Sequence, residues 1–374
     1  MILSDVCEFI VDCPHSTAPD EGKGYPLIRT PNVGKGRLDL NGVHRVSESV
    51  YKQRIQRGAP RANDLIFARE APAGNVALVQ ENQTVCLGQR TVLIRPNVQK
   101  VNPQYLVYYL LSPKPQYELL GTANGATVAH INLPAIRNLK IELPEKSVQD
   151  KIGTILVTYD DLIENNQRQI KLLEEAAQRL YKEWVVDLRF PGHENTKIVD
   201  GVPEGWSRTN INEILTFHRG YDLTKNEMKA GRYPVVGSTT VIGYHNEFKI
   251  KGPGIVTGRS GSLGKYQFIW DNFWPHNTSL YISDYKDHNI FFVYSLLQTV
   301  DFASLNNGGA IPTLNRNVLS NIEVIEPTDE LQEMFAKIAE PQYQKIKNLE
   351  KQNDKLKTAR DLLLPKFMSG EVEV

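Results

Sequence analysis

Two short loops, each with glycine and a central arginine, hold the residues of this chain whose chemistry best suits an anionic ligand. They span residues 68–74 (AREAPAG) and 258–264 (GRSGSLG), and each follows a short apolar run. Glycine lets a backbone come close to a ligand, and the planar arginine fork matches a phosphate or a guanine edge. Arg69 and Arg259 are therefore candidate contacts to a phosphate or a guanine edge. In isolation, however, a tight turn with a solvated arginine is the preferred interpretation of each loop.

A second pair of related loops contains residues 124–127 (NGAT) and 307–310 (NGGA). Their backbone amides could donate to a DNA phosphate, although each sequence is also typical of a plain turn. Together with neighbouring polar and basic side chains, the two pairs of loops define the candidate DNA-binding residues. These are Arg69, Gly74, Asn124, Gly125, His130, Arg219, Arg259, Ser260, Ser262, Lys265, Asn307 and Gly308.

Several enzymatic interpretations fail on the residues themselves. Residues 258–265 superficially resemble a nucleotide phosphate loop, but Arg259 stands where a glycine is required and Tyr266 where Ser or Thr would bind magnesium. Cys7, Cys13 and His15 have no second pair of zinc ligands at a fitting spacing, so buried thiols are the preferred interpretation. No hydrolase elbow, no paired metal-binding carboxylates and no amino-methyltransferase motif is found, so we predict no metal site, and catalysis by this chain is disfavoured.

The chain is internally duplicated. Asn124 and Asn307 are equivalent at an offset of 183 residues (307 − 124), and the register persists far beyond these loops. Such a long period excludes a solenoid of short repeats and indicates two similar halves with two similar sites. The same offset relates Pro144 to Pro327, Gln149 to Gln332, Ile163 to Ile346, Leu173 to Leu356 and Leu180 to Leu363.

Each copy has a globular part followed by a helical part. In the globular parts, short apolar runs between turn residues predict strands, and residues 105–111 and 290–297 predict helices. We therefore predict two similar mixed α/β (α+β) parts. The predicted strands include residues 66–68, 92–94, 255–257 and 280–282.

Residues 148–186 and 329–368 predict two long helices with matching apolar seams at heptad spacing, and such helices should pair. Asn166 and Asn353 interrupt the seams and would set register rather than add stability. Ser147 with Asp150 predicts a capping box, and Pro341 predicts a break or kink early in the second helix. A helical hairpin that merely joins two domains is the alternative. The predicted seam contains Ile163, Ile170, Leu173, Leu180, Ile346, Leu349, Leu356 and Leu363.

Composition is typical of a globular protein of two to three domains, with 374 residues of which 41% are hydrophobic. A formal net charge of zero counts against a DNA binder unless basic residues cluster locally, because basic charge supplies much of the affinity for phosphates. The sequence has no membrane-spanning apolar run and no signal peptide, and its three cysteines form no disulfide framework. We therefore expect a cytoplasmic protein.

The combined pattern resembles the specificity (S) subunit of bacterial type I restriction–modification systems over essentially the whole chain. The resemblance rests on Pro144 with Gln149 and Ile152, on residues 172–187, on residues 202–206 (VPEGW) and on residues 308–315 (GGAIPTLN). The first copy lacks the proline–glycine–tryptophan entry of the second. We therefore expect its globular part to lack an initial strand.

The resemblance implies target recognition domains at residues 1–146 and 191–328, each reading one half of a split DNA sequence. It implies spacer helices at residues 147–190 and 329–374 that form an antiparallel coiled coil with pseudo-twofold symmetry and set the spacing. Methyltransferase (M) subunits, two per chain, and through them restriction (R) subunits would dock on the complex.

The resemblance also implies that this chain is a non-catalytic subunit and binds no cofactor. S-adenosylmethionine, ATP and magnesium would be used by the partner subunits, and no membrane is involved. The alternative is a duplicated coiled-coil scaffold that binds only proteins and has no DNA affinity even beside a methyltransferase.

Overall fold

The structure is a computed structural model that describes residues 1–123, 129–259, 264–300 and 322–374. It divides into two compact units. The first unit contains Met1–Asn166 with Gln352–Val374, and the second unit contains Gln167–Lys351. Each unit has a mixed α/β globular part and one segment of each of two long helices, so the predicted fold class is confirmed.

The strands of the first unit are β1 (Cys7–Asp12), β2 (Tyr25–Ile28), β3 (Gly36–Arg37), β4 (Arg45–Val46), β5 (Leu65–Ala68), β6 (Val76–Leu78), β7 (Cys86–Leu87) and β8 (Thr91–Pro96). Those of the second unit are β9 (Ile198–Val199), β10 (Val202–Pro203), β11 (Ser207–Asn210), β12 (Thr216–Arg219), β13 (Tyr233–Val236), β14 (Val241–His245), β15 (Gly254–Gly258), β16 (Tyr266–Ile269), β17 (Trp274–Pro275), β18 (Ser279–Asp284) and β19 (Glu323–Glu326). The helices are α1 (Glu48–Arg54), α2 (Pro103–Leu111), α3 (Pro113–Gly121), α4 (Leu133–Arg137), α5 (Lys146–Tyr181), α6 (Ile211–Ile214), α7 (Ile290–Thr299) and α8 (Asp329–Ser369). Short 3₁₀ turns lie at Leu3–Val6, Thr30–Asn32 and His193–Asn195.

The main sheets of the two units have corresponding strand orders. The first unit orders its strands β1-β8-β5-β6-β3, and the second orders them β12-β18-β15-β16. Each unit also has a smaller sheet, β4-β2-β7 or β14-β13-β17, in which the middle strand has one antiparallel and one parallel neighbour. The central strands β5 and β15 are buried along their whole length, which explains why their sequences are continuous apolar runs.

The units differ at the start of the globular part. In the second unit β11 pairs with β19 over Ser207–Asn210, whereas in the first unit only an isolated bridge joins Ile2 to Lys140. The prediction that the first globular part lacks the initial strand is therefore confirmed.

The long helices α5 and α8 agree with the predicted pair, and α5 continues into a π-helical turn at Lys182–Val186. The predicted break at Pro341 is wrong, because α8 runs through it without interruption. Pro341 is exposed, while Ala339 and Tyr343 on either side are buried. Packing of these flanking residues offsets the hydrogen bond that proline cannot donate.

The predicted capping box at Ser147 is also wrong. Helix α5 begins at Lys146, so Ser147 lies inside its first turn. Asp150 accepts hydrogen bonds from Lys146 Nζ (2.9 Å) and Asn102 Nδ2 (2.7 Å) instead. The Asp150 carboxylate is therefore held by the side chains of Lys146 and Asn102 and not by the backbone amide of Ser147.

A repeated glutamine contact marks the entry to each long helix. Gln149 Nε2 donates to the carbonyl of Pro144 over 2.8 Å, and Gln332 Nε2 donates to that of Pro327 over 3.0 Å. Both glutamine side chains are buried. The 183-residue register persists here because a buried amide must keep its partner.

In the first unit the segments of the two long helices run antiparallel, since Asp160 bonds Arg360 and Asn166 bonds Asn353. In the second unit the Tyr181 ring packs edge-on against Phe335, with centroids 5.8 Å apart. No helix within the described ranges is both long and apolar enough to cross a membrane. Of the predicted seam, Ile163, Ile346 and Leu349 are buried, and Ile170, Leu173, Leu180, Leu356 and Leu363 are partly buried.

Candidate functional site

The two candidate arginines lie at the same place in the two main sheets, directly after the buried central strand. Arg69 follows β5 and its amide donates to the carbonyl of Arg90 over 2.9 Å; Arg259 follows β15 and its amide donates to that of Thr278 over 3.2 Å. We call this end of each sheet, where β5 ends at Ala68 or β15 at Gly258, the arginine edge. The loop equivalence predicted from the sequence agrees with this hydrogen bonding.

A second recurring bond supports the equivalence. The hydroxyl of Thr91 donates to the carbonyl of Gly88 over 2.9 Å, and that of Ser279 donates to the carbonyl of His276 over 2.7 Å. Both hydroxyls are on the residue that opens the neighbouring strand, β8 or β18. The turn leading into this strand is therefore built in the same way in both units.

At the arginine edge of the first unit, the guanidinium of Arg69 has protein partners on every side. Its Nε donates to the carbonyl of Ile131 (2.8 Å), Nη1 to Asp12 Oδ2 (2.7 Å) and Nη2 to His130 Nε2 (2.7 Å). The Arg69 side chain is only 10% exposed. Because all three guanidinium nitrogens form hydrogen bonds, Arg69 holds its own loop against β1 at Asp12 and against the segment that contains His130 and Ile131.

His130 extends this network outward. Because arginine has donors only, His130 Nε2 must accept, which assigns the ring proton to Nδ1. That nitrogen donates to Glu70 Oε1 over 2.5 Å, and the other Glu70 oxygen pairs with Arg90 Nε at 2.9 Å. The structure thus brings the candidates Arg69 and His130 together and adds Asp12, Glu70 and Arg90, which the sequence analysis missed.

Gly74 has a structural reason to be glycine. Its φ is +90°, and a Cβ built there would lie 2.6 Å from Gln116 Oε1. Its carbonyl accepts from Gln116 Nε2 over 2.8 Å. The positive φ is therefore what favours glycine, and a Cβ would also require the end of the Gln116 side chain on α3 to shift.

At the arginine edge of the second unit, strand register aligns three basic candidates. Arg219 pairs with Leu280, and Leu280 pairs with Thr257 on the next strand, which in turn pairs with Tyr266. Arg219 ends β12, Arg259 directly follows β15, and Lys265 directly precedes β16. No described residue forms a hydrogen bond or ion pair with any of these three side-chain cations.

Polar side chains that the sequence analysis missed line the same edge. Ser238 Oγ donates to the carbonyl of Thr278 over 2.7 Å, and the Asn277 amide bonds the carboxylate of Asp222. The exposed His218 lies on β12 one residue before Arg219. Their signal in the sequence is weak, because single polar residues at strand ends are common in turns.

The remaining candidates lie outside the described residues, and the structure says nothing of them. They are Asn124, Gly125, Ser260, Ser262, Asn307 and Gly308.

Two of the three cysteines, Cys13 and Cys86, are buried, and Cys7 is partly buried. Burial raises the pKa of Cys7 to about 12 and also raises that of Cys13. None of the cysteines forms a disulfide, and no group of His, Cys, Asp or Glu suited to a metal ion occurs within the described ranges. The burial of Cys13 and Cys86 agrees with the interpretation of these residues as buried thiols.

The arginine edges offer hydrogen-bond donors and positive charge. Basic forks and hydroxyls at the end of a rigid sheet suit phosphate oxygens and the acceptor edge of guanine. A formal net charge of zero does not count against an anionic ligand here, because Arg219, Arg259 and Lys265 lie at the same edge. A bound anion interacts mainly with nearby charges, since salt screens the distant ones.

Comparison with known proteins adds an independent finding. A family model described as the type I restriction modification DNA specificity domain matches residues 1–175 and 203–358, which is most of the chain and one match per copy. The type I restriction enzyme MjaIX specificity subunit of Methanocaldococcus jannaschii is 27% identical, with 89% of this chain and 83% of that protein covered. The HindI specificity subunit of Haemophilus influenzae is 22% identical, with 84% and 87% covered.

Among solved structures, the fold resembles the S subunit of a type I restriction–modification system from M. genitalium. The TM-score is 0.61 at 18% identity, and the match covers 98% of this chain and 95% of that chain. At this identity the likeness is evidence for the fold.

Proposed function

This chain belongs to the family of type I restriction–modification DNA specificity subunits, and we propose that each of its units reads one half of a split DNA target. DNA recognition by this subunit follows from its family. Assigning one half-site to each arginine edge is our extension. The observation that supports it is the recurrence of one edge, with an arginine at the same hydrogen-bonded position, on two otherwise diverged sheets.

The divergence between the edges supports two different half-sites. Duplicated scaffolds that read the same sequence would be expected to keep the same contacting side chains. Arg90 in the first unit corresponds to Thr278 in the second, and Asp12 corresponds to Arg219. Different base edges require different donors and acceptors, so we infer an asymmetric target.

We further propose that the paired long helices set the distance between the half-sites. They also supply the surfaces for M subunits, two per chain, and through them for R subunits. Helices with a common buried seam form a stiff element whose length scales at about 1.5 Å per residue. S-adenosylmethionine, ATP and magnesium are assigned to those partners, and this chain acts without catalysis.

The test is methylation mapping in a host that lacks adenine methylation and expresses this chain with a type I methyltransferase subunit. We expect a single bipartite motif with a fixed gap. Replacing residues 191–328 by the corresponding segment of the Haemophilus influenzae relative should change one half-site and leave the other unchanged. No methylation, or a motif indifferent to the exchange, contradicts the proposal. An assembled complex without DNA affinity would instead support the protein-binding scaffold.

A further inference from the structure

One position of the arginine edge carries opposite charges in the two units. In the first unit Asp12 pairs with Val92, which pairs across β8 with Phe67, two residues before Arg69. This register brings the carboxylate of Asp12 to the guanidinium of Arg69, and Nη1 and Oδ2 lie 2.7 Å apart.

In the second unit the same position is occupied by Arg219. It pairs with Leu280, which pairs across β18 with Thr257, two residues before Arg259. The duplication therefore places an arginine where the first unit has the carboxylate that neutralises its own edge arginine. Arg219 is exposed and Arg259 is partly exposed.

The two arginine edges differ in net charge because Asp12 of the first unit corresponds to Arg219 of the second. In the first unit Arg69 and Arg90 are matched by Asp12 and Glu70, each through a direct ion pair. In the second unit Arg219, Arg259 and Lys265 share their edge with Asp222, whose carboxylate is already bonded by Asn277. Among the residues that the structure describes, the first edge is internally neutralised and the second keeps a surplus of positive charge.

The two arginines consequently suit different tasks. Arg69 would have to give up its bonds to Asp12, His130 and Ile131 before it could contact DNA, and each broken bond would leave a buried or partly buried partner unpaired. Arg259 has no such bonds to lose among the described residues. A second cation on β12, which the strand β18 separates from β15, disfavours the free protein and favours the state in which an anion lies across both.

Resting on the proposed DNA-recognition function, we propose that Arg219 and Arg259 are the specificity-determining DNA contacts of the second unit, and that Arg69 is a positioning residue in the first. The contacted group is a phosphate or the acceptor edge of guanine. Arg69 instead holds the chain around His130 and Ile131 against the main sheet, so that other side chains of the first edge face DNA.

The decisive variant is Arg219→Asp, which gives the second unit the arrangement of the first. It is made in the full chain, assembled with the methyltransferase subunit, and assayed with a pool of random-sequence duplexes. We expect affinity to fall about 10- to 100-fold, the salt dependence to weaken by about one to two released ions, and the second half-site to relax. The first half-site should be unchanged. Lys197→Asp, an equal charge change at an exposed residue beside β9, is the matched control and should alter neither half-site.

Arg69→Gln combined with Asp12→Asn tests the other half of the proposal, because the double change keeps the net charge of the edge. It removes the guanidinium and its ion pair, so the first half-site should relax while the salt dependence stays at the wild-type value. A weakened salt dependence would show that Arg69 contacts phosphate and would overturn its positioning role, as would an unaltered first half-site. If the wild-type complex selects no split motif, the proposed function itself fails. If the wild-type complex does select a split motif, and Arg219→Asp leaves the second half-site and the salt dependence unchanged, then only the assignment of Arg219 and Arg259 fails.

Discussion

The side-chain amide of Asn166 donates from Nδ2 to Oδ1 of Asn353 over 2.9 Å, and both residues are 5% exposed. The two asparagines are not equivalent in the duplication. At an offset of 183 residues, Asn353 corresponds to Ile170 (353 − 183) and Asn166 corresponds to Leu349 (166 + 183). If the first long helix packed on a second copy of itself in this register, Asn166 would therefore face Ile170. Only pairing of the first helix with the second places amide against amide.

We expect this pair to select the pairing partner at some cost in stability. Asn166→Leu should lower the free energy of unfolding by about 1–3 kcal/mol, because it leaves Asn353 buried without its donor. The double variant with Asn353→Leu should recover that stability and also self-associate, since either helix can then pair with its own copy. Chemical denaturation and light scattering measure the two effects.

Asn165→Leu is the matched control, because Asn165 is the exposed neighbour. It should leave both stability and the monomeric state unchanged. A double variant that remains strictly monomeric would contradict the selective role of the pair.

A buried ionic contact in the first unit gives a second prediction. Asp160 accepts from the Tyr108 hydroxyl over 2.6 Å and pairs with Arg360, and the two charged side chains are 3% and 14% exposed. Asp160→Asn should cost about 3 kcal/mol, because the largely buried Arg360 loses its buried counter-charge and keeps only the exposed Asp361. Asp161→Asn is the control. That carboxylate is 59% exposed, and its pairing with Arg37 should contribute less than about 1 kcal/mol.

The duplication itself supplies an apolar version of this contact. Asp160 corresponds to Tyr343 (160 + 183) and Arg360 to Ala177 (360 − 183), both of which lie in the hydrophobic core of the second unit.

Chemical denaturation measures the free energy of unfolding of the Asp160→Asn and Asp161→Asn variants. Equal decreases in the two variants would show that the buried ion pair contributes no more than the surface pair.

Two buried tyrosines should respond in opposite ways to loss of the hydroxyl. Tyr181 is 1% exposed and its hydroxyl has no hydrogen-bond partner among the described residues, so Tyr181→Phe should raise stability by about 1 kcal/mol. Tyr108→Phe removes the bond to Asp160 and should lower stability by about 2 kcal/mol. Thermal unfolding of the two variants compares them directly, and shifts of the same sign would refute the assignment.

Length of the paired helices should control the gap in the DNA target. One heptad inserted between Asn166 and Ile170, with a matching heptad between Leu349 and Asn353, preserves the seam and adds about 10 Å. At about 3.4 Å per base pair this corresponds to a gap longer by up to about three base pairs, with both half-sequences retained. Methylation mapping reads the gap. An insertion in one helix alone should abolish methylation by breaking the pairing, and an unchanged gap in the matched variant would rule out the spacing role.

Much of the fold was predictable because its determinants are local. Heptad spacing predicts α5 and α8, and buried apolar runs predict β5 and β15, since periodic burial leaves a periodic pattern in the sequence. The predictions at Ser147 and Pro341 were wrong for a common reason. Local propensity is weak, and contacts from elsewhere, such as Asn102 with Asp150 and the packing of Ala339 and Tyr343, override it.

The sequence by itself determined the duplication, the two kinds of part in each copy, the helical seam and the equivalence of Arg69 with Arg259. Each of these is a pattern along one chain. Only the tertiary structure decided that the two arginines differ, because their neighbours Asp12 and Arg219 lie on other strands, more than 30 residues away in the chain. Whether a charge is neutralised depends on distance in space, and the pairing of strands, rather than the order of residues, sets that distance.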